Sequence, residues 1–219
     1  MRDLPKFMAT ELMIRQQTEI TKIIHHDGHI GFFDKDDLVA TGRQAIISAP
    51  AAQTSKLLAD IYPELAATAG LASYDPCWTI MLGLEDDHGL GTAPLRDEAA
   101  GIALGAPEMT RSNQQSGLCA PALTIQATGQ WSQQHLQDGP QMVIKSLCQI
   151  WQNLTGKPLG NISTAAAHRW LYAKVTTAAP NDAPRLSHDG KLAIAGDWLG
   201  GPRVEQAFDS GRQAYHHLL

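Results

Sequence analysis

The closing segment LAIAGDWLGGPRVEQAFDSGRQAYHHLL (192–219) combines the patterns of a strand, a turn and a helix. Leu192–Ala195 is a short apolar run that predicts a strand, and Gly196 lets the backbone bend directly after it. Asp197 then places a carboxylate at the carboxyl end of the strand, which is where open α/β sheets bind ligands. A helix is predicted over Val204–Leu218. The segment therefore predicts an α/β chain with a ligand-binding turn near its C-terminus.

The predicted helix presents a row of apolar and small side chains at helical spacing, namely Val204, Ala207, Phe208, Gly211 and Tyr215. Its N-terminus follows the pair Gly200-Gly201 and carries unpaired N–H groups with a partial positive charge, so it can receive a pyrophosphate or a carboxylate. The same pattern also fits a plain loop that joins a core strand to a packing helix. The local sequence leaves both interpretations open.

The composition excludes several classes of function. A formal net charge of -5 and a pI near 5.9 provide no basic surface for nucleic acid, and no apolar run approaches the ~20 residues of a membrane span. Cys77, Cys119 and Cys148 form no CxxC pair, which favours a reducing compartment. The first residues lack the apolar core of a secretory signal. We expect a cytoplasmic protein that binds neither nucleic acid nor membrane.

The first part of the chain predicts a helix, a group of short strands and a buried strand. Over 4–15 a helix with one buried stripe is predicted, formed by Leu4, Phe7, Met8, Leu12 and Met13. Short strands follow, with turns at His26–Gly28 and around Asp34–Asp37. The β-branched run Ala45–Ser48 predicts a strand that is covered on both faces.

The middle of the chain alternates helices with strands. Two helical pieces flank Pro63, and the segment 131–155 predicts a helical stretch that is interrupted near Gly139-Pro140. Its second part places Val143, Leu147, Ile150 and Leu154 on one face. Strands are predicted at 77–84, 101–106, 121–129 and 165–175. The alternation indicates a mixed α/β architecture.

One strand carries a row of aromatic side chains. Because neighbours along a strand point to opposite faces, His168, Trp170 and Tyr172 share one face and Arg169 and Leu171 the other. Such a row is typical of a sheet core, and it is also the surface that would hold a planar ring. Sequence alone leaves both interpretations open.

Other reactive residue types point to no chemistry. His25, His26 and His29 surround a turn without a nearby cysteine, so solvated histidines are favoured over a metal site. Cys77 has no cationic neighbour to lower its pKa. No serine lies in a GxSxG elbow, which argues against a hydrolase.

Four blocks together resemble the C-terminal two-thirds of the renalase-like branch of the flavin-dependent amine oxidoreductases, and the resemblance covers nearly the whole chain. They are ISAPAAQTSKLL (47–58), PCWTIMLGL (76–84), HRWLYAKV (168–175) and the closing segment 192–219. The resemblance implies a partial FAD-binding, Rossmann-like domain formed by 1–60 and 176–219, and a substrate domain over 61–175 with a mixed or antiparallel sheet and helices.

The resemblance also implies roles for particular residues. Gly196 and Asp197 would lie against the ribityl–pyrophosphate part of FAD, and Arg203, Val204 and Glu205 would face the isoalloxazine. Ile20 would lie near the adenine, in a segment that supplies a backbone contact. Ala49 and Pro50 would cross between the two domains. The residues implied on the substrate side are Trp78, His168, Trp170 and Tyr172. No catalytic acid or base is implied, because the flavin accepts the hydride.

The chain departs from this family in one respect: it contains no GxGxxG, and its nearest approach is Gly89-Leu90-Gly91. The first βαβ unit, which cradles the ADP half of FAD, therefore has no counterpart here. The expected function is hydride transfer from an amine or a reduced, NAD(P)H-like substrate to FAD, with weak or absent FAD binding by this chain alone. A companion polypeptide carrying GxGxxG, or a homo-oligomer, is the expected partner. The alternative is a non-catalytic interaction module without flavin.

Overall fold

The computed structural model describes residues 3–86, 90, 93–107 and 121–219. Within them the chain forms two compact units: a first unit of Met1–Ala72 with Ala178–Leu219, and a second unit of Ser73–Thr177. The sequence-based boundaries lie after residues 60 and 175. Cys119 and most of Gly89-Leu90-Gly91 lie outside the described residues.

The described residues form runs of strands that are separated by pairs of helices. In chain order they are α1 (Asp3–Met8), β1 (Lys22–His26), β2 (His29–Asp34), β3 (Asp37–Gly42), β4 (Ala45–Ile47), α2 (Ala51–Leu58), α3 (Pro63–Gly70), β5 (Ser73–Leu84), β6 (Leu95–Asp97), β7 (Ile102–Pro107), β8 (Ala122–Ala127), α4 (Gly129–Gln134), α5 (Pro140–Thr155), β9 (Ile162–Thr177), β10 (Leu192–Ile194), a 3₁₀ turn (Asp197–Leu199) and α6 (Val204–Leu218). The predicted mixed α/β class is confirmed.

Strands β1, β2 and β3 form an antiparallel sheet in the first unit. The β1–β2 connection is the pair Asp27-Gly28, and both residues have positive φ. This conformation matches the twist of a two-residue hairpin, and Asp-Gly is a preferred pair for it. The predicted strands and turns of this region are confirmed.

Strands β4 and β10 pair in parallel, with Ala193 opposite Ile46. All three residues of β10 are buried, but Ile46 is 40% exposed. Helix α6 packs over β10, where Ala193 and Ala195 form a cluster with Ala214. The prediction that the β4 strand is covered on both faces is therefore wrong, because among the described residues the layer of α6 leaves Ile46 partly open.

The predicted N-terminal helix is shorter and more exposed than its pattern suggests. α1 ends at Met8, and the Thr10 hydroxyl donates to the Phe7 carbonyl oxygen at 2.7 Å, which satisfies a carbonyl that a continued helix would have used. Leu12 and Met13 lie beyond the helix, and Met13 is 91% exposed. The predicted buried stripe is wrong for the side chains that the structure describes, which do not include Leu4.

The second unit is a five-stranded antiparallel sheet in the order β6-β7-β8-β5-β9. One face packs against α4 and α5 and forms the core, which includes Ile80, Leu82, Leu147 and Trp151. α5 begins with Pro140 at its first position and ends at Thr155, followed by Gly156 in the left-handed conformation, as expected for a proline start and glycine stop. The predicted interruption before Pro140 is confirmed.

Among the described helices, none is long and apolar enough to cross a bilayer.

Candidate functional site

The carboxyl ends of β4 and β10 meet at one edge of their parallel sheet. The Ala195 N–H donates to the Ile47 carbonyl oxygen at 2.9 Å, and the Trp198 indole N–H donates to the Ala49 carbonyl oxygen at 3.2 Å. These bonds bring together two segments that are far apart in sequence. One contains Ala49 and Pro50, and the other contains Gly196 and Asp197. Parallel strands place their carboxyl ends at the same edge, and ligands bind there in open α/β sheets.

The bend after β10 requires glycine. Gly196 has a φ of 152°, and a Cβ at this position would overlap the indole of Trp198. Its N–H donates to the hydroxyl of Ser210 at 2.9 Å, which ties the turn to α6. The Asp197 carbonyl oxygen accepts from Gly200 and Gly201, at 3.0 and 2.6 Å, while its carboxylate has no hydrogen bond or ion pair with any described residue.

The N-terminus of α6 is exposed at its first residues. Arg203 is the N-cap residue and its side chain makes no capping bond, so the first N–H groups of the helix have no side-chain acceptor. Val204 and Glu205 are exposed. The Glu205 carboxylate sits in the first helical turn, where it competes with any bound anion. Beside this turn the buried Oε1 of Gln206 has no hydrogen-bond partner.

Ile20 lies in the segment before β1 and is half-buried. No hydrogen bond of the described residues joins it to the carboxyl ends of β4 and β10. The structure thus brings together the predicted residues of two chain segments and does not add Ile20 to them.

The second unit has an open sheet face opposite its helices. In the β5–β9 pairing Thr79 lies opposite His168 and Cys77 opposite Trp170, so these four residues share that face. His168 and Trp170 are exposed and meet edge to face, with 4.2 Å between ring centroids. The aromatic row is therefore a wall of this face and not part of the core.

Trp78 lies on the opposite face from that row. It is buried under α4, its backbone N–H donates to the Ser132 hydroxyl, and its indole N–H donates to the His135 carbonyl oxygen, both at 2.9 Å. The Arg169 guanidinium lies 5.7 Å from the Trp78 ring centroid. Trp78 therefore does not share a face with the other predicted substrate-side residues, because its partner across the β5–β9 pair is Arg169 and not His168 or Trp170.

A cavity of about 620 Å³ opens on this face at the end of the sheet that carries Asp75. Trp170 and Tyr172 line it from β9, and Gln126 lines it from β8. Asp75 and Lys174 line the same cavity and are directly opposite each other across the β5–β9 pair. Such a cavity, with polar groups among apolar and aromatic walls, has the volume and composition of a small-molecule site.

Sequence analysis missed Asp75, Gln126 and Lys174 as site residues. A usable signal was present at Pro76, because proline inside a strand lacks the N–H for a ladder bond and is found at bulges. The β5–β9 register shifts between Asp75 and Cys77, and Tyr172 lies in the bulged segment of β9. Bulges re-aim side chains and are frequent next to active sites.

The remaining candidates add no site. Among the residues that the structure describes, no group of three histidine, cysteine or acidic side chains could hold a metal ion. His29 Nδ1 lies 3.0 Å from the Asp27 carbonyl oxygen, so this ring has its polar contact within its own turn. Burial raises the pKa of the Cys77 thiol, so it is not a reactive thiolate.

No family model matches the chain. Solved structures of oxidases share its fold. A provisionally assigned protoporphyrinogen oxidase from Exiguobacterium sp. 255-15 is 15% identical with a TM-score of 0.74, over 97% of this chain and 49% of that protein. Cyclohexylamine oxidase from Brevibacterium oxydans IH-35A is 12% identical with a TM-score of 0.66, over 91% of this chain and 47% of that protein.

A putrescine oxidase redesigned in its cofactor binding is 8% identical with a TM-score of 0.67, over 98% of this chain and 51% of that protein. The chain therefore spans about half the length of each of these oxidases and has the fold of that half.

Proposed function

We propose that this chain is part of a cytoplasmic FAD-dependent oxidoreductase of renalase-like or amine-oxidase type. It would transfer a hydride from an amine or a reduced nicotinamide-like substrate to FAD. In this proposal the first unit contributes to the flavin site, and the open face of the second unit is the substrate side.

The observation that carries the proposal is the meeting of the β4 and β10 carboxyl ends, held by the bond from Trp198 to Ala49. It joins two segments that the family resemblance assigns to FAD, and it lies in a chain with the fold of half an oxidase. Fold likeness at this level of identity does not carry function by itself. The convergence of these segments is therefore the main support.

The residues present fit one part of a dinucleotide. Gly196 and Gly201 have backbone conformations that favour glycine and allow close approach. The Oε1 of Gln206 is covered by Gly201 and is not accessible to a ligand. Against a phosphate, Glu205 places a negative charge in the first turn of α6. We infer that this unit would hold the ribityl side of FAD and that the phosphate cradle comes from elsewhere.

When bound, FAD supplies the hydride acceptor, and the protein supplies binding and orientation. The N–H groups at the start of α6 and the carboxylate of Asp197 would bind polar atoms of the cofactor. Trp170 and Tyr172 would orient a planar substrate on the open face through their exposed rings. No side chain of this site is required to take the hydride.

A companion unit with GxGxxG could add a strand to the sheet beside β4. The edge of β4 away from β10 has no strand partner among the described residues. Ile46 is partly exposed there while its neighbour Ala193 is fully buried. A parallel strand and its crossover helix added at this edge would extend the sheet and cover Ile46. A second copy of the chain is the competing occupant.

The test is a titration of FAD into the purified chain, followed by flavin fluorescence. It is run with and without a separately expressed N-terminal fragment that carries GxGxxG, taken from a full-length relative. We expect weak or substoichiometric binding by the chain alone and tight binding with the fragment. Ile46→Glu should weaken the fragment-dependent binding, because it puts a charge on the surface that the added strand would cover.

Asp197→Ala should also weaken flavin binding, whereas Asp36→Ala in the exposed β2–β3 turn should not. Equal flavin binding by both variants would contradict the role of Asp197. Absence of binding with and without the fragment would favour a module that keeps the fold without flavin. One tightly bound FAD per isolated chain would contradict the need for a companion.

A further inference from the structure

Asp75 and Lys174 face each other across the β5–β9 pair and yet do not bind each other. They are direct cross-strand partners on one sheet face, and both line the cavity of the second unit. Among the described residues, no hydrogen bond or ion pair involves either side chain. An opposite-charge pair directly across two strands normally stabilises the sheet when the two groups bind each other. Here both charged groups are left available to a ligand.

The rest of the cavity matches a ligand with two charged groups on a planar body. Trp170 is 53% exposed and offers an aromatic surface next to the charged end. The Gln126 side chain, which can donate and accept, has no hydrogen-bond partner among the described residues. The Asp75 carboxylate packs against the backbone of Gly129, where even a Cβ would have no room, so its position is restricted from that side.

We propose that this cavity binds a small zwitterion, with an ammonium group on Asp75 and a carboxylate on Lys174, and with its planar or aromatic body against Trp170. Asp75 and Lys174 then determine substrate specificity on the open face. The inference rests on the proposed function, because it takes this face as the substrate side and assigns the substrate to the amino-acid class.

The cavity lining carries three charged side chains, namely Asp75, Glu98 and Lys174. Groups of both signs therefore face a ligand, which favours a zwitterion over a singly charged ligand for an electrostatic reason. A ligand with only an ammonium group would leave the Lys174 charge beside the bound ligand without a partner, and a carboxylate alone would do the same to Asp75. Hydrogen bonds in which one partner is charged are stronger than those between neutral groups. Loss of either contact is therefore expected to weaken binding by about tenfold or more.

The test compares three probes that share a phenyl ring. L-Phenylalanine carries both charges, 2-phenylethylamine carries only the ammonium, and 3-phenylpropanoate carries only the carboxylate. Their dissociation constants are measured near pH 7 by ligand-observed NMR on the full chain without flavin. L-Phenylalanine should bind at least about tenfold more tightly than either of the other probes.

Two substitutions assign the charges. Asp75→Asn should weaken phenylalanine binding by about tenfold and should not weaken 3-phenylpropanoate binding, and Lys174→Met should weaken phenylalanine binding by a similar factor without weakening 2-phenylethylamine binding. Asp36→Asn and Lys35→Met, in the exposed β2–β3 turn, are the matched controls and should change nothing. Circular dichroism and the urea midpoint confirm that each variant is folded.

Three results would overturn the inference. These are equal binding of the three probes, no binding of any probe at millimolar concentration, and energetic coupling of Asp75→Asn with Lys174→Met in unfolding experiments without any effect on the probes. The last result would mean that the two side chains pair with each other in solution. Because no flavin is present, failure here is distinct from failure of the proposed function, which the FAD titration reports.

Discussion

Helices α5 and α6 both have amphipathic sequences, but they differ in whether their large apolar side chains are buried. The apolar side of α5 is packed into the second unit's core, where Val143 and Leu147 are fully buried. On α6 three large apolar residues point away from the unit's interior: Val204 is 78% exposed, Phe208 54% and Tyr215 56%. Leu218, at the end of the helix, instead packs against the cluster under α6. The side of α6 that packs on β10 carries small residues, with Ala214 and Ser210 buried.

The difference teaches what an amphipathic pattern predicts. Periodic apolar residues indicate a helix with a face that gains free energy when it is covered. They do not indicate which neighbour covers it. In α6 the close approach to Ala193 and Ala195 uses Ala214, with Leu218 packed beside it. Val204, Phe208 and Tyr215 are left for a surface that the described residues do not supply.

The largest expected effect is in the packed helix. Leu147→Ala should lower the free energy of unfolding by about 2–5 kcal/mol, because it leaves a cavity in a core that is close-packed. The measurement is urea unfolding followed by tryptophan fluorescence. Phe208→Ala on α6 is the comparison and should change stability by no more than about 0.5 kcal/mol. Similar losses in the two variants would mean that α6 is covered in solution.

Two glycines, one packed under α5 and one within α6, provide a second test of the difference between these helices. Gly105 lies directly under Trp151 of α5, and a Cβ there would overlap the indole ring, so Gly105→Ala should destabilise the chain by about 1–3 kcal/mol. Gly211 in α6 has no atom near its Cβ position, so Gly211→Ala should stabilise by about 0.5–1 kcal/mol through helix propensity. Urea midpoints of the two variants should move in opposite directions. A destabilised Gly211→Ala variant would contradict the open surface.

The free energy of unfolding of the unit that contains α6 should depend on pH through Tyr62. Burial of the phenol, and then its hydrogen bond to Asp189 at 3.0 Å, raise the pKa of Tyr62 from 10.0 to about 12. The unfolded chain ionises this phenol near pH 10, so the stabilisation is fully present below about pH 10 and is lost as pH rises toward about 12.

Tyr62→Phe should therefore show a smaller fall in unfolding free energy between pH 10 and pH 12 than the parent chain. Tyr215→Phe, which alters an exposed ring, should keep the full fall and serves as the control. Unfolding free energies at a series of pH values provide the measurement. Identical pH profiles for the parent and Tyr62→Phe would show that the buried phenol does not contribute.

The smallest effect on stability is expected from Phe208→Ser. The exposed ring contributes little to folding, so the free energy of unfolding should change by less than about 0.5 kcal/mol. Self-association should weaken, because exposed apolar surface favours contacts between molecules. Sedimentation velocity over a range of concentrations measures it. A parent chain that stays monomeric at high concentration would contradict this expectation.

Much of the fold could be predicted because its signals are local. The Asp27-Gly28 turn, the proline start of α5 and the alternation of β5 each depend on residues that are neighbours in sequence. The site was predicted only in part. The resemblance assigned Gly196 and Ala49 to FAD separately, and the bonds between their two segments were found only in the structure. Asp75 and Lys174 likewise emerged only from the β5–β9 register, which has a bulge at Pro76.

By itself the sequence determined the period of most strands and helices, and therefore which residues of one element share a face. His168 and Trp170 were bound to lie on one side of β9, because side chains alternate, whereas the β5–β9 register, which pairs Trp78 with Arg169, put Trp78 on the other side of the sheet. Only the tertiary structure decided that α4 and α5 cover the side of Trp78 and leave that of Trp170 open. The reason is that burial is a property of two surfaces in contact, and a periodic pattern describes only one of them.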